Sequence, residues 1–190
     1  MSIFILQEHL PAHEQYWIEH CKSSSMKIGY KLRQAHYVLG LHMSKAIYTT
    51  NSKQSKFAVW ILMRAGLPFG LGISDGLEKQ GCDVAIYFID EQIDSDTITS
   101  SNGRTIILAD AVINSGKSIE HIYKNLPENI RQSMIVTTTV IPSNAVPRFE
   151  KFNLMTVRVS HNQYQGAKVS TIQNGKGPDT GDRLFGTFMM

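Results

Sequence analysis

The chain has 190 residues, of which 42% are hydrophobic, and a formal net charge of +3. This length suits one domain with a sizeable core, and the small, dispersed positive excess argues against a nucleic-acid partner. Two cysteines indicate neither a disulfide framework nor a Cys-based zinc site. No apolar stretch approaches the ~20 residues of a membrane span, and residues 1–8 lack the features of a signal peptide. We therefore expect a cytoplasmic protein with no membrane partner.

Two amphipathic helices are predicted over residues 12–24 and 28–46, followed by a polar loop over 49–56. From residue 57 onward, strands alternate with helices, which is typical of an α/β fold with a doubly wound, mainly parallel sheet. We predict one domain over 1–190, with residues 1–48 as a helical arm (an added layer or a dimer arm) and 57–190 as the α/β core. The predicted strands are 57–62, 83–89, 105–110, 133–141 and 154–159, and the predicted core helices are 69–80, 116–126 and 144–151.

The most informative segment is an apolar strand that ends in an acid and is followed by a short loop. Residues 105–109 show no alternation, which suits a strand covered on both faces. Asp110 ends the strand and could accept hydrogen bonds from the vicinal hydroxyls of a sugar. The loop closes on Ser115, Gly116, Lys117 and Ser118, and such amides and hydroxyls at the start of a helix suit a phosphate.

Two interpretations of residues 111–118 remain open from this segment alone. The first is a Walker A loop with Ala111 in place of the first glycine, in which Lys117 reaches the outer phosphates and Ser118 reaches magnesium. The second is a loop that resembles the phosphoribosyl-diphosphate loop of type I phosphoribosyltransferases. Asp110 favours the second interpretation, because a Walker A strand does not need an acid at this point.

Two further segments favour the second interpretation. Residues 63–68 read Met-Arg-Ala-Gly-Leu-Pro, and residues 179–187 read Asp-Thr-Gly-Asp-Arg-Leu-Phe-Gly-Thr. With the segment above, they resemble the uracil phosphoribosyltransferase family, whose members carry R-A-G-L, D-P-M-L-A-T-G-G-S and G-D-A-G-D-R-L-F-G-T in this order. The resemblance runs from about residue 57 to residue 187. It implies a type I phosphoribosyltransferase fold and a homodimer or larger homo-oligomer, and some members are regulated by GTP.

The activity that the resemblance implies is pyrimidine salvage, in which uracil and phosphoribosyl diphosphate give UMP and diphosphate with Mg²⁺. The expected transition state resembles an oxocarbenium ion, so positioning and electrostatic stabilisation matter more than a strong base. The implied catalytic residues are Asp110 at the ribose hydroxyls, Arg64 at the diphosphate, and Asp179 near the sugar and metal. No separate cluster of protein metal ligands is assigned. Asp182, followed by Arg183, is expected to be structural, as in a simple surface pair.

The remaining contacts to phosphoribosyl diphosphate are assigned to the loop that follows Asp110. Lys117 replaces a glycine of the family and adds a positive charge to the grip on the 5-phosphate. The full set implied to bind this substrate is Arg64, Asp110, Ala111, Val112, Ile113, Asn114, Ser115, Gly116, Lys117, Ser118 and Asp179.

The resemblance weakens in the segment that would read the base. The family recognises uracil largely through backbone groups, and either Ile172 or Gln173 matches the family's Ile, because residues 171–181 are one residue longer or shifted. Pro178 stands where the family has Gly and offers no N–H. Losing one buried hydrogen bond costs about 1–3 kcal/mol, unless Gly177 replaces it. Uracil is the default base, and the candidate uracil-binding residues are Ile172, Gln173, Gly177, Pro178 and Thr180.

The segment after the strand 83–89 also departs from the family. The family has R-D-E-E-T here, with its Arg on the diphosphate, whereas this chain has Asp90, Glu91 and Gln92 and no Arg before Arg104. This difference keeps an alternative open: a weakened homologue that senses ligands or uses another base. A P-loop nucleotide hydrolase is the third possibility.

Overall fold

The computed structural model describes residues 3–25, 27–90, 92–161 and 178–187. Its strands are β1 (Phe4–Ile5), β2 (Lys56–Leu62), β3 (Asp83–Ile89), β4 (Thr105–Val112), β5 (Ile135–Pro142) and β6 (Asn153–Ser160). Its α-helices are α1 (Tyr16–Cys21), α2 (Gly29–Thr50), α3 (Leu67–Glu78), α4 (Ser95–Ser100), α5 (Lys117–Asn125), α6 (Glu128–Ser133) and α7 (Thr180–Phe185).

The six strands form one sheet in the order β1-β6-β5-β4-β2-β3, and every neighbouring pair is parallel. The chain winds from β2 outward to β3, returns to β4 on the other side of β2, and then continues to β5 and β6. The winding therefore reverses between β2 and β4. In open parallel sheets, ligands bind at this reversal, beyond the carboxyl ends of the strands. The predicted α/β fold with a mainly parallel sheet is confirmed.

Alternate residues of each strand point to opposite faces of the sheet, so the strands supply two cores. In β2, Phe57, Val59 and Ile61 pack against α2 and α3, whereas Ala58, Trp60 and Leu62 belong to the core that contains Ile119 and Ile122 of α5. Helices therefore cover both faces at β2, which explains why this strand is a continuous apolar run from Phe57 to Leu62.

The long helix α2 packs closely against α3 on one face of the sheet. A Cβ atom added at Gly72 would lie 2.1 Å from the carbonyl oxygen of Tyr37, and one added at Gly40 would lie 2.3 Å from that of Phe69. The two helix backbones therefore touch, and only glycine fits at these crossing points. The prediction of a single domain with a helical arm stays a prediction.

Several local features differ from those predicted. The helix predicted over 144–151 is a single 3₁₀ turn, Val146–Phe149, with Pro147 at its start. The polar segment before β4 contains α4, whose first turn is capped by the carboxylate of Asp94, which accepts from the Thr97 N–H at 2.6 Å. A six-residue helix is too short for the apolar period to reveal it. Among the described residues, no helix has the length and apolarity needed to cross a membrane.

Candidate active site

The strand β4 carries Asp110 to the reversal point and continues to Val112, two residues beyond the predicted strand end. The Ile113 N–H donates to the carbonyl oxygen of Val140 at 3.0 Å, so the pairing with β5 extends past the acid. The side chains of Ala111 and Ile113 are buried in the core. The sequence assigns Ala111, Val112 and Ile113 to the phosphate loop, but they lie at the carboxyl end of the interior strand β4, and the Ile113 amide is already engaged in the pairing with β5.

The loop proper is short and closes at Gly116. This glycine has φ = 74°, and α5 begins at the next residue, Lys117. A Cβ atom at Gly116 would lie 2.5 Å from Cε2 of the buried Phe149, and Arg148 donates to the carbonyl oxygen of Ser115 at 3.0 Å. The loop is therefore held by the 3₁₀ turn after β5. Asn114 is half-buried, whereas Ser115, Lys117 and Ser118 are exposed at the end of the helix.

This geometry disfavours the Walker A interpretation. A Walker A loop surrounds its phosphates with the whole stretch between the first glycine and the lysine. Here the first part of that stretch, Ala111 to Ile113, is hydrogen-bonded into the sheet, so three residues separate the sheet from α5. A loop of this length can hold one phosphate group at the helix start.

The carboxyl group of Asp110 is half-buried near the carboxyl end of β4. Desolvation raises its pKa to about 6; the backbone amides of Val112 and Ala111 oppose this shift, and the negative charge of Asp179 adds to it. Asp110 is therefore mainly ionised at neutral pH, but it can be protonated in mild acid. A Cβ atom added at Gly181 would lie 3.7 Å from Ala65 Cβ, so the terminal segment lies against the loop that follows β2.

The Arg64 loop lies between β2 and α3, directly on the end of β4. A Cβ atom at Gly66 would lie 2.6 Å from the Leu62 carbonyl oxygen and 2.7 Å from that of Ala109, so only glycine allows the loop to pack between the two strands. The Met63–Arg64 peptide bond is cis. The close packing of Gly66 on the end of β4 brings the loop that carries Arg64 beside Asp110.

The Arg64 side chain contacts the C-terminal helix. Its Nη2 atom lies 2.5 Å from Asp182 Oδ1, and its Nη1 atom donates to Thr187 Oγ1 at 2.9 Å. The expected surface pair of Asp182 with Arg183 is wrong, because Arg183 is 2% exposed and points into the protein. It donates to the carbonyl oxygens of Lys22 and Lys27 at 3.2 Å and 3.0 Å.

The other predicted residues of the terminal segment are only partly described. Asp179 is exposed and caps α7, with its Oδ1 accepting from the Gly181 N–H at 2.7 Å. Pro178 is buried, and Thr180 is half-buried at the first position of α7. The predicted base-binding residues Ile172, Gln173 and Gly177 lie outside the described residues.

A cleft of about 530 Å³ opens at the carboxyl ends of β2, β3 and β4, against the first turns of α5. Its basic side chains, among the described residues that line it, are Lys117 and His121. The sequence did not single out His121, although its i,i+4 spacing from Lys117 places both on one helix face. Asp90 and Gln92 enter from the end of β3. The lining residues are Leu62, Met63, Asp90, Gln92, Asp110, Lys117, Ser118, His121 and Ile122.

The first arginine after β3, Arg104, lies at the amino ends of the strands, opposite to the cleft. Its Nη1 atom donates to the carbonyl oxygen of Phe57 at 3.3 Å, and Nη2 donates to Asp83 Oδ2 at 3.0 Å. Phe57 and Asp83 stand at the beginning of β2 and β3. Arg104 therefore cannot replace the arginine that the family carries beyond the end of β3.

The described carboxylates of the site could bind magnesium together with substrate phosphates, but not as a cluster of protein ligands. Within the described residues, no three His, Cys, Asp or Glu side chains gather as a metal site. Magnesium commonly keeps waters and binds one or two carboxylates together with substrate phosphates. The exposed carboxylate of Asp179 fits that role with a diphosphate that brings the remaining oxygens.

The fold was compared with solved structures. The chain is similar to the AQ2163 protein from Aquifex aeolicus, with a TM-score of 0.71, 12% sequence identity and 100% of both chains covered. It is also similar to a hypoxanthine-guanine phosphoribosyltransferase from Leishmania tarentolae in complex with GMP, with a TM-score of 0.47 and 12% identity over 57% of this chain and 67% of that chain.

The sequence itself was compared with protein families and with curated proteins. No curated protein matches it. The family described as uracil phosphoribosyltransferase matches residues 33–187, which is most of the chain and includes Arg64, Asp110 and the terminal segment. The chain therefore belongs to the uracil phosphoribosyltransferase family.

Proposed function

We propose that this member of the family is an enzyme that transfers the phosphoribosyl group of phosphoribosyl diphosphate to uracil, giving UMP and diphosphate. One observation carries the proposal: three segments distant in sequence meet at the reversal point of the sheet. Gly66 packs on the Ala109 carbonyl beside Asp110, and Arg64 pairs with Asp182 of the terminal segment. An acid, a phosphate loop and an arginine gathered there suit a ribose that carries phosphate at both ends.

Each of these groups has a distinct part in the proposal. Residues 114–118 hold the 5-phosphate, with Lys117 supplying charge and the N-terminal amides of α5 supplying donors. The ionised carboxylate of Asp110 accepts hydrogen bonds from the vicinal hydroxyls of the ribose. Arg64 donates to the leaving diphosphate, for which its fixed charge and planar fork of donors are well suited.

The reaction exchanges one bond at C1 of the ribose for another. The bond from C1 to the diphosphate oxygen breaks with its electron pair leaving on diphosphate, a uracil nitrogen bonds to C1, and that nitrogen releases its proton to solvent. Magnesium, when bound, supplies positive charge that stabilises the leaving diphosphate. The protein contributes by aligning the ribose and by presenting Arg64 where negative charge accumulates on the leaving diphosphate.

The choice of uracil rests on the family resemblance. Pro178 precedes the acid of the terminal segment and has no N–H for a uracil carbonyl, while Thr180 offers a hydroxyl one residue beyond Asp179. The proposal further includes action in the cytoplasm, a homodimer or larger homo-oligomer, and no membrane or nucleic-acid partner.

A second function is favoured by the arginine that is missing after β3. Arg104 lies at the opposite end of the strands, and the basic side chains among the described residues that line the cleft are Lys117 and His121 of α5. A protein that retains the ribose-phosphate site but has lost a diphosphate contact suits a ligand sensor or a different base.

The experiment is an assay of nucleotide formation from phosphoribosyl diphosphate and Mg²⁺ with uracil, and with cytosine, hypoxanthine or orotate in separate reactions. We expect UMP and diphosphate in equal amounts from uracil. A nucleotide from another base alone would contradict uracil as the substrate. Binding of phosphoribosyl diphosphate without a nucleotide from any base would favour the sensor.

A further inference from the structure

A closed ring of polar contacts joins Arg64 to the last residues of the described chain. Arg64 Nη1 donates to Thr187 Oγ1 at 2.9 Å, the Thr187 hydroxyl donates to Asp182 Oδ1 at 2.6 Å, and Arg64 Nη2 donates to the same oxygen at 2.5 Å. The ring of Phe185 lies 6.0 Å from Arg64 Cζ. We call Asp182, Phe185 and Thr187 the arginine clamp.

The clamp fixes the guanidinium without burying it. It engages one hydrogen of each terminal nitrogen, whereas a guanidinium carries five donors in a rigid fork. The Arg64 side chain is still 47% exposed, so a ligand can reach it. An arginine that is already oriented loses less conformational freedom when it binds an anion, which strengthens binding without adding a contact.

The clamp is itself held in place by the N-terminal region. Arg183, which is buried, donates to the carbonyl oxygens of Lys22 and Lys27, and Arg33 of α2 donates to the carbonyl oxygen of Leu184 at 2.7 Å. These contacts attach α7 to the N-terminal region. The orientation of Arg64 is therefore set by the packing of α7 as well as by its own loop.

We propose that Asp182 and Thr187 are positioning residues that hold Arg64 ready for the diphosphate of the substrate. The inference rests on the proposed function, in which Arg64 binds diphosphate, and it adds the group that orients it. The clamp also links the Arg64 loop to the helix that Asp179 caps. The position of Arg64, which binds diphosphate in the proposed function, is then coupled to the position of α7.

The test compares Thr187→Val, which keeps the shape and removes the hydroxyl, with Thr187→Ser, which keeps the hydroxyl. Binding of phosphoribosyl diphosphate with Mg²⁺ is measured by titration calorimetry below the melting temperature of each variant. We expect Thr187→Val to weaken binding about fivefold, as for loss of one hydrogen bond at a partly exposed site, and Thr187→Ser to bind like the wild type. In turnover, KM for this substrate should rise while KM for the base stays constant.

The same substitution in an Arg64→Ala background separates a positioning role from a general structural one. If Thr187 acts through Arg64, Thr187→Val adds no further loss once Arg64 is absent. Two results would overturn the positioning role of the clamp while leaving the proposed role of Arg64 intact. The first is an equal loss of binding from Thr187→Val in both backgrounds, and the second is unchanged binding in Thr187→Val when Arg64→Ala is impaired. Unchanged binding in Arg64→Ala would instead contradict the proposed role of Arg64.

Discussion

The carboxyl group of Asp110 lies half-buried at the end of β4, where desolvation, as the largest cause, raises its pKa from 3.8 to about 6. A carboxyl whose pKa is higher in the folded state than in the unfolded chain favours folding when it is protonated. That contribution is fully present below about pH 4 and is lost as the pH rises through 6. At neutral pH, Asp110 is therefore expected to cost stability in return for its function.

The first prediction is that Asp110→Asn stabilises the folded protein at pH 8 by about 1–3 kcal/mol, because the amide removes a poorly solvated charge. Urea unfolding at pH 8 and pH 4 measures the effect, which should largely disappear at pH 4. Asp96→Asn, at an exposed acid of α4, is the control and should change little. A less stable Asp110→Asn protein at pH 8 would contradict this account of the carboxyl.

The second prediction concerns the function of the same carboxylate. Asp110→Asn should weaken binding of phosphoribosyl diphosphate by roughly 10- to 100-fold, since hydrogen bonds to a charged group contribute about 1.5–3 kcal/mol. Wild-type affinity should also fall below about pH 6 more steeply than that of the variant, which has no carboxyl to titrate at this position. Calorimetry from pH 5 to pH 8 tests both points, and unchanged binding would remove Asp110 from the site.

At the scale of elements, the loop before α5 depends on a glycine that two constraints specify. Gly116 has φ = 74°, and its hydrogen faces the ring of Phe149. Gly103, before β4, has φ = 75° with nothing within 4 Å of an added Cβ. Comparing alanine substitutions at these two glycines separates two losses of stability: that from placing alanine at a positive φ, and that from the clash of its Cβ with Phe149.

The third prediction is that Gly103→Ala costs about 1 kcal/mol, the price of placing alanine in the left-handed region, and that Gly116→Ala costs at least 1–3 kcal/mol more because of overpacking. Urea unfolding gives both values. Gly116→Ala should also weaken phosphoribosyl-diphosphate binding, whereas Gly103→Ala should not. Equal effects of the two variants on stability and binding would refute the role of Phe149.

The sequence predicted the elements whose signal is local. β2, β3 and β4 are continuous apolar runs, and Gly116 before Lys117 marks the start of α5. The end of β4 was placed too early because the pairing of Ile113 with Val140 is a contact between distant residues. The 3₁₀ turn Val146–Phe149 was predicted as a helix because its polar neighbours carry no signal that distinguishes one turn from several.

At the scale of the whole molecule, the sheet order explains why three segments that are distant in sequence meet in space. The three motifs, in the order in which they occur in the sequence, indicated which segments come together. Parallel strands place their carboxyl ends on the same side of the sheet. The contacts between the segments were beyond sequence reasoning: Arg64 and Asp182 are 118 positions apart. Arg183 was expected at the surface because charged residues usually lie there, yet two carbonyl oxygens hold it inside.

The central claim is that the cleft at the reversal between β2 and β4 holds phosphoribosyl diphosphate. Titration calorimetry of the wild-type protein with this compound and Mg²⁺, with ATP and GTP titrated in parallel, tests the claim most directly. We predict saturable binding of phosphoribosyl diphosphate that Asp110→Asn weakens. Binding of ATP or GTP with no binding of phosphoribosyl diphosphate would contradict it.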